Sequence, residues 1–177
     1  MDAALIPASI IVAAHIAIAL MLLVAGIGKL RRRNDWEGAL SAYRLLPDML
    51  VGPVAVALPV IELVVAAGLV AGLVPAMLAG TALMLLFAAA MAINLLRGRR
   101  DLDCGCDPSA KPKPIGWMLV LRNLALAALL AAGLLTLPPL PAELWFTAAF
   151  AGVVAYLLTS ILTLLRGMSP PRPHGAR

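Results

Sequence analysis

The sequence predicts an all-α protein, a polytopic transmembrane helical bundle of about five membrane-spanning helices plus one short interfacial helix. Three observations lead there. Of the 177 residues, 63% are hydrophobic and only 13% charged; a soluble domain of this length has too much surface for its volume to hide so much apolar side chain. The apolar residues come in blocks long enough to cross a hydrocarbon layer ~30 Å thick, which takes about 20 helical residues. The basic residues gather in alternate connectors. Length and the shortness of every connector predict a single domain over 1–168, followed by a proline-bearing tail, 169–177, expected to be disordered.

The first block runs from about Ala8 to Leu30. Met1-Asp2-Ala3-Ala4 brings no basic n-region, so the first block is expected to persist as a helix rather than act as a cleaved signal. Leu50 to Leu96 is too long for one span. Ala71-Gly72-Leu73-Val74-Pro75 divides it, because proline cannot continue a helix and glycine favours the turn. The fourth block is Gly116 to Thr136, ended by Leu137-Pro138-Pro139-Leu140-Pro141, and the fifth is Ala142 to Leu165.

Lys29, Arg31, Arg32, Arg33 and Arg44 lie in or beside the first connector; Arg97, Arg99, Arg100, Lys111 and Lys113 lie in or beside the third. Arg122 sits on that same side, and Arg166, Arg172 and Arg177 follow the fifth block. With five spans, all basic residues share one face. The positive-inside rule makes that face cytoplasmic, so the protein is expected in the inner (plasma) membrane with its N-terminus outside and its C-terminus in the cytoplasm. The formal charge of +5 thus belongs to topology and not to nucleic acid. Asp35 to Pro47 is expected to form the interfacial helix, with Trp36 and Tyr43 suited to lipid headgroups and Pro47 as its stop. Gly68/Gly72 and Ala76/Gly80 are small-residue pairs for close helix packing. Met77, Met84 and Met91, seven residues apart, read as core filler.

The residues that promise chemistry are few. Asp103-Cys104-Gly105-Cys106-Asp107 carries the two cysteines of the chain. Thiols separated by one glycine can close a small, strained and easily reduced disulfide ring, which would make Cys104 and Cys106 the catalytic pair of a thiol–disulfide oxidoreductase. The flanking Lys and Arg favour the thiolate, and Asp101, Asp103 and Asp107 oppose it. Two thiolates also bind copper(I) or supply half of a zinc site, so metal handling is a competing reading; a non-enzymatic scaffold for a redox partner is another. No resident metal or cofactor is expected. Glu62 lies mid-helix, where a carboxylate is costly and needs a partner. His15 is placed at a matching depth, about 21 Å from the helix end, and a Glu62–His15 pair is expected, either structural or relaying protons. Lys29, Tyr43, Asn94, Arg122 and Asn123 collect near the basic end. They are expected to line a pocket for a polar head, such as a quinone carbonyl, or a docking site for a thiol partner; for Lys29, snorkelling to the interface is the favoured alternative.

These residues together resemble the MauE family of methylamine-utilisation membrane proteins, within the wider DoxX-like group. The resemblance rests on Ala25-Gly26-Ile27-Gly28-Lys29-Leu30, Tyr43-Arg44-Leu45-Leu46-Pro47, Glu62, Asn94-Leu95-Leu96-Arg97-Gly98-Arg99, Asp103-Cys104-Gly105-Cys106 and Arg122-Asn123. It departs at Asp107-Pro108, where the family pattern continues Phe-Gly. The resemblance implies a helper role. The protein would exchange disulfides with a periplasmic thioredoxin-like partner during maturation of the methylamine dehydrogenase small subunit. The charge pattern puts the dithiol on the cytoplasmic side, so such exchange requires the connector to dip into the bundle, to move across it, or to meet a cytoplasmic or quinone partner instead.

Overall fold

The computed structural model describes residues 5–102, 114–136 and 142–168. These form six helices: α1 (Leu5–Arg31), α2 (Arg33–Ala42), α3 (Asp48–Val70), α4 (Val74–Leu96), α5 (Trp117–Thr136) and α6 (Ala142–Met168). Five of them, all but α2, are long and apolar enough to cross a membrane. The expected tail lies outside the described residues, and so does the dithiol at Cys104 and Cys106.

The division of the long apolar stretch falls where proline and glycine place it. Gly72 takes a left-handed conformation (φ 69°). The Leu73 amide then bonds back to the Gly68 carbonyl and the Gly72 amide to that of Leu69, so the last carbonyls of α3 are satisfied. Pro75 sits in the first turn of α4, where a missing N–H costs nothing. Gly98 (φ 75°) ends α4 in the same manner, with Arg99 bonding back to Asn94 and Gly98 to Leu95.

The interfacial segment departs from expectation at its end. α2 stops at Ala42, before Pro47, because Arg44 turns left-handed (φ 50°) and closes the cap onto Ser41. Pro47 instead opens α3 as its N-cap. Nor do the α2 aromatics face outward: Trp36 and Tyr43 are both buried. The break from α1 is one residue wide, at Arg32, and hydrogen bonds from Arg32 to Gly28 and from Trp36 to Arg32 span it.

Helices α1, α3, α4 and α5 enclose the core, with α1 touching α3 and α5, and α4 touching the same two. Among the described residues α6 packs on α1 alone. The core has two main apolar clusters. One, toward the α3–α4 turn, holds Ile18, Leu22, Leu69, Met77, Met84 and Leu130. The other, at the end where α2 lies and the arginines gather (the basic end), holds Tyr43, Met91, Leu95, Ile115 and Val120. The three regularly spaced methionines therefore all land in core.

Small residues set the closest approaches, though with different partners than the expected pairs. Gly68 faces Ala76, so α3 and α4 meet through one residue of each pair. Gly80 receives Leu130 of α5, and Gly152 lies against the Ala13 carbonyl and Ile16 of α1. Gly38, in the middle of α2, has open space around it. A Gly152→Val variant is therefore expected to lower the thermal midpoint in detergent markedly by pushing α6 off α1. Gly38→Ala should hold or raise it, since alanine in a helix interior is favoured by about 0.5–1 kcal/mol. Equal effects of the two would contradict the packing.

Candidate functional site

The site begins with a proline. Pro59 is buried inside α3 and has no N–H, so the carbonyl four residues back, Ala55, loses its helical donor. The indole Nε1 of Trp36 donates to that carbonyl at 3.1 Å. This bond ties α2 along the first half of α3. Opposite Pro59, α1 has glycine: a side chain at Gly26 would press on the Pro59 carbonyl and on Leu63, each 3.1 Å away. Close approach there brings Lys29 to Glu62.

Lys29 donates to Glu62 Oε1 in a buried ion pair; Lys29 is 6% exposed and Glu62 0%. The ammonium also sits over two rings, 4.7 Å from the centroid of Trp36 and 5.0 Å from that of Phe87. A desolvated cation over an aromatic face gains up to about 2 kcal/mol. One carboxylate oxygen and two π faces thus replace the water that Lys29 gives up.

The expected Glu62–His15 pair is not formed. His15 is buried against α5, where a side chain at Gly133 would collide with its ring, and it hydrogen-bonds to the Leu130 backbone. It lies fourteen residues before Lys29, roughly 21 Å along α1. The apolar cluster around Ile18, Leu22 and Leu130 fills the space between. The depth count misled because it treated the end of α1 as the end of the bundle. In fact α2 continues along α3: Trp36, seven residues beyond Lys29, meets Ala55, seven residues before Glu62. The same register explains why Lys29 does not snorkel. Ten more helical residues lie beyond it, with α3 beside them.

A second polar group lies nearer the basic end. Asn94 is fully buried, and its Nδ2 donates to Ala90 O at 3.1 Å. Arg99 Nη1 donates to Asn94 Oδ1 at 3.2 Å and to the Tyr43 carbonyl at 3.4 Å. Gly98 supplies the turn that brings Arg99 back over Asn94. The Asn94–Arg99 stretch is therefore a clasp between the end of α4 and the end of α2. Just beyond it, the Ile115 amide donates to Leu102 O at 3.0 Å. Both residues pack beside Tyr43. The connector that carries Cys104 and Cys106 in the sequence thus leaves and returns through one pinned neck.

Of the expected pocket residues, Arg122 is set apart from the rest. Lys29, Tyr43, Asn94 and Asn123 are buried, whereas Arg122 is exposed on α5. Asn123 Nδ2 donates to Leu119 O at 3.1 Å. Among the described residues, His15 Nε2, Glu62 Oε2 and Asn123 Oδ1 are buried without a hydrogen-bond partner. Phe87 went unremarked in the sequence because an aromatic residue in an apolar run carries no signal of its own.

The comparisons agree on one family. Residues 7–137 match the family model described as methylamine utilisation protein MauE. The methylamine utilization protein MauE of Paracoccus denitrificans is 42% identical over 170 residues, covering 93% of this chain and 91% of the relative. That of Methylorubrum extorquens is 39% identical over 155 residues, 84% of this chain and 83% of its own length. That of Methylophilus methylotrophus is 37% identical over 171 residues, 91% and 87% respectively. No solved structure matches the chain.

Breaking a buried pair by removing one partner costs about 3–5 kcal/mol, because the other charge is left alone. Lys29→Met and Glu62→Met are each expected to lose stability on that scale in mixed-micelle unfolding. The double variant should recover at least half of the loss. Single variants within about 0.5 kcal/mol of the parent, well below the scale for a broken buried pair, would show that the pair contributes nothing.

Proposed function

The chain belongs to the MauE family of methylamine utilisation proteins, and from that premise we propose that it is a membrane accessory protein for methylamine utilisation whose working group is the Cys104-Gly105-Cys106 dithiol. In this reading it serves the maturation of a disulfide-containing protein, with a thioredoxin-like protein as its exchange partner. Its place is the inner membrane, N-terminus outside.

One observation carries the reading. The connector bearing the dithiol springs from a neck closed by the Ile115–Leu102 hydrogen bond and buried beside Tyr43. A short reactive segment held at both ends on a rigid bundle suits repeated exchange. The flanking Arg99 is committed to Asn94 and Tyr43, which fixes the bundle side of the neck.

The chemistry needs no resident cofactor. A thiolate of the pair attacks one sulfur of the partner's disulfide. An S–S bond forms between the proteins as the partner's own breaks, and the departing thiolate takes a proton. The second thiol of the pair gives up its proton and attacks the mixed disulfide. That closes the Cys104–Cys106 disulfide and releases the partner's second thiol. Two electrons and two protons pass from the pair to the partner, and the reverse sequence oxidises the partner.

The test is complementation of a strain lacking its own MauE-family protein. Cys104→Ser with Cys106→Ser is expected to abolish growth on methylamine while the protein still accumulates in the membrane. Single serine variants should trap a mixed disulfide visible on non-reducing gels. Full growth of the double variant would establish the scaffold reading instead. Loss of stoichiometric bound copper in the double variant, with no trapped adduct from either single variant, would establish metal handling.

A further inference from the structure

Three polar side chains and one aromatic ring, one from each helix of the inner bundle, fall between the two apolar clusters. Lys29 of α1 pairs with Glu62 of α3 and lies against Phe87 of α4. Counting along the helices from one contact puts Asn123 of α5 at the same level. Gly80 receives Leu130 where α4 and α5 run antiparallel; seven residues along each helix from that contact stand Phe87 and Asn123. Phe87 packs against both apolar clusters, with Leu126 on one side and Leu119 on the other flanking the level of Asn123.

The hydrogen-bonding inventory of this layer is unbalanced. Lys29 has one carboxylate oxygen and two rings for its three N–H groups. Asn123 spends its Nδ2 on Leu119. Two acceptors are left over in this layer, Glu62 Oε2 and Asn123 Oδ1, on side chains 0% and 1% exposed. Both are oxygens and neither carries a proton to share in its ordinary state. A buried acceptor without a donor is costly, and most such groups in folded proteins are met by protein or by ordered water. Bundle cores are also where facing helices build ligand sites.

We propose that this layer is a binding site for an O–H donor, which gives hydrogen bonds to Glu62 Oε2 and Asn123 Oδ1 and receives one from the Lys29 ammonium. Three partners is the usual complement of a buried water. The aromatic walls, Trp36 and Phe87, equally suit the hydroxyl-bearing head of a membrane-soluble aromatic diol. Water and such a diol share the chemistry and differ in source. His15, about 21 Å away along α1, takes no part. The proposal does not rest on the dithiol, so the two stand or fall separately.

The experiment uses the full chain in lipid nanodiscs with 13C labels. Magnetisation transferred from water is read at Glu62 Cδ and Asn123 Cγ by solid-state NMR, with the Leu130 methyls as the dry reference. A decyl hydroquinone is then added as the probe. Transfer several-fold above Leu130 that the probe leaves unchanged supports the site with water as the guest. Shifts at both carbons on adding the probe support it with a diol as the guest. Asn123→Leu is expected to abolish whichever signal the parent shows at Glu62. Transfer at both carbons no faster than at Leu130, together with no response to the probe, overturns the proposal. So does a Glu62 signal that persists unchanged in the leucine variant. The parent measurement stands alone should that variant fail to fold.

Discussion

Glu62 is fully enclosed in the middle of a helix whose neighbours are almost all apolar, and the basic half of the bundle is arranged to meet its charge. The pairing with Lys29 has structural prerequisites. Gly26 must let α1 approach the carbonyl of Pro59. Pro59 must free the Ala55 carbonyl that holds Trp36. Trp36 and Phe87 must then both bring a ring to the ammonium. Each feature has a modest energy by itself. Together they convert a buried pair, which is at best near break-even against apolar packing, into a specific register between α1–α2 and α3.

Much of the fold was legible because membrane solvation makes the pattern coarse. All five long helices start and stop within a few residues of the apolar blocks, and the α3–α4 turn falls at Gly72 and Pro75. What the pattern did not contain was depth. Counting residues inward from the helix ends put His15 beside Glu62, but helix ends are level only when the chain leaves the bundle there. The single-residue break at Arg32 lets the chain stay against α3 for another ten residues. Lys29 therefore sits well inside, and Trp36, whose type suits a headgroup layer, serves instead as an internal hydrogen-bond donor. A tighter clue was present in the combination of an unmet carbonyl below Pro59 and a nearby indole, though only a structure shows which carbonyl and indole meet.

Asn94, in the run Asn94-Leu95-Leu96-Arg97-Gly98-Arg99, is expected from the sequence to line a pocket, and the geometry gives it a constructional role. Asn94 uses its backbone carbonyl, its amide oxygen and its amide nitrogen on the α4 end and on Arg99. Gly98 is required for the positive φ that lets Arg99 return. Arg99 reaches across to the last carbonyl of the α2 region at Tyr43. The product is a fixed junction of α2 and α4, and Leu102 and Ile115 pack against that junction.

The buried pair and the neck of the dithiol connector are consequently joined by matter at every step. Glu62 holds Lys29, Lys29 lies on Trp36, Trp36 anchors α2, Tyr43 caps the end of α2, and Tyr43 meets both Arg99 and the cluster containing Leu102. Contact alone is not coupling; transmission requires an element with two arrangements that both ends bias. Among the described residues, α2 is the shortest helix of this path, and its break from α1 is a single residue. If the charge state of the buried layer is ever felt at the connector, α2 is the element that must carry it, because the remaining members are fixed by the close approaches at Gly26, Gly68 and Gly80.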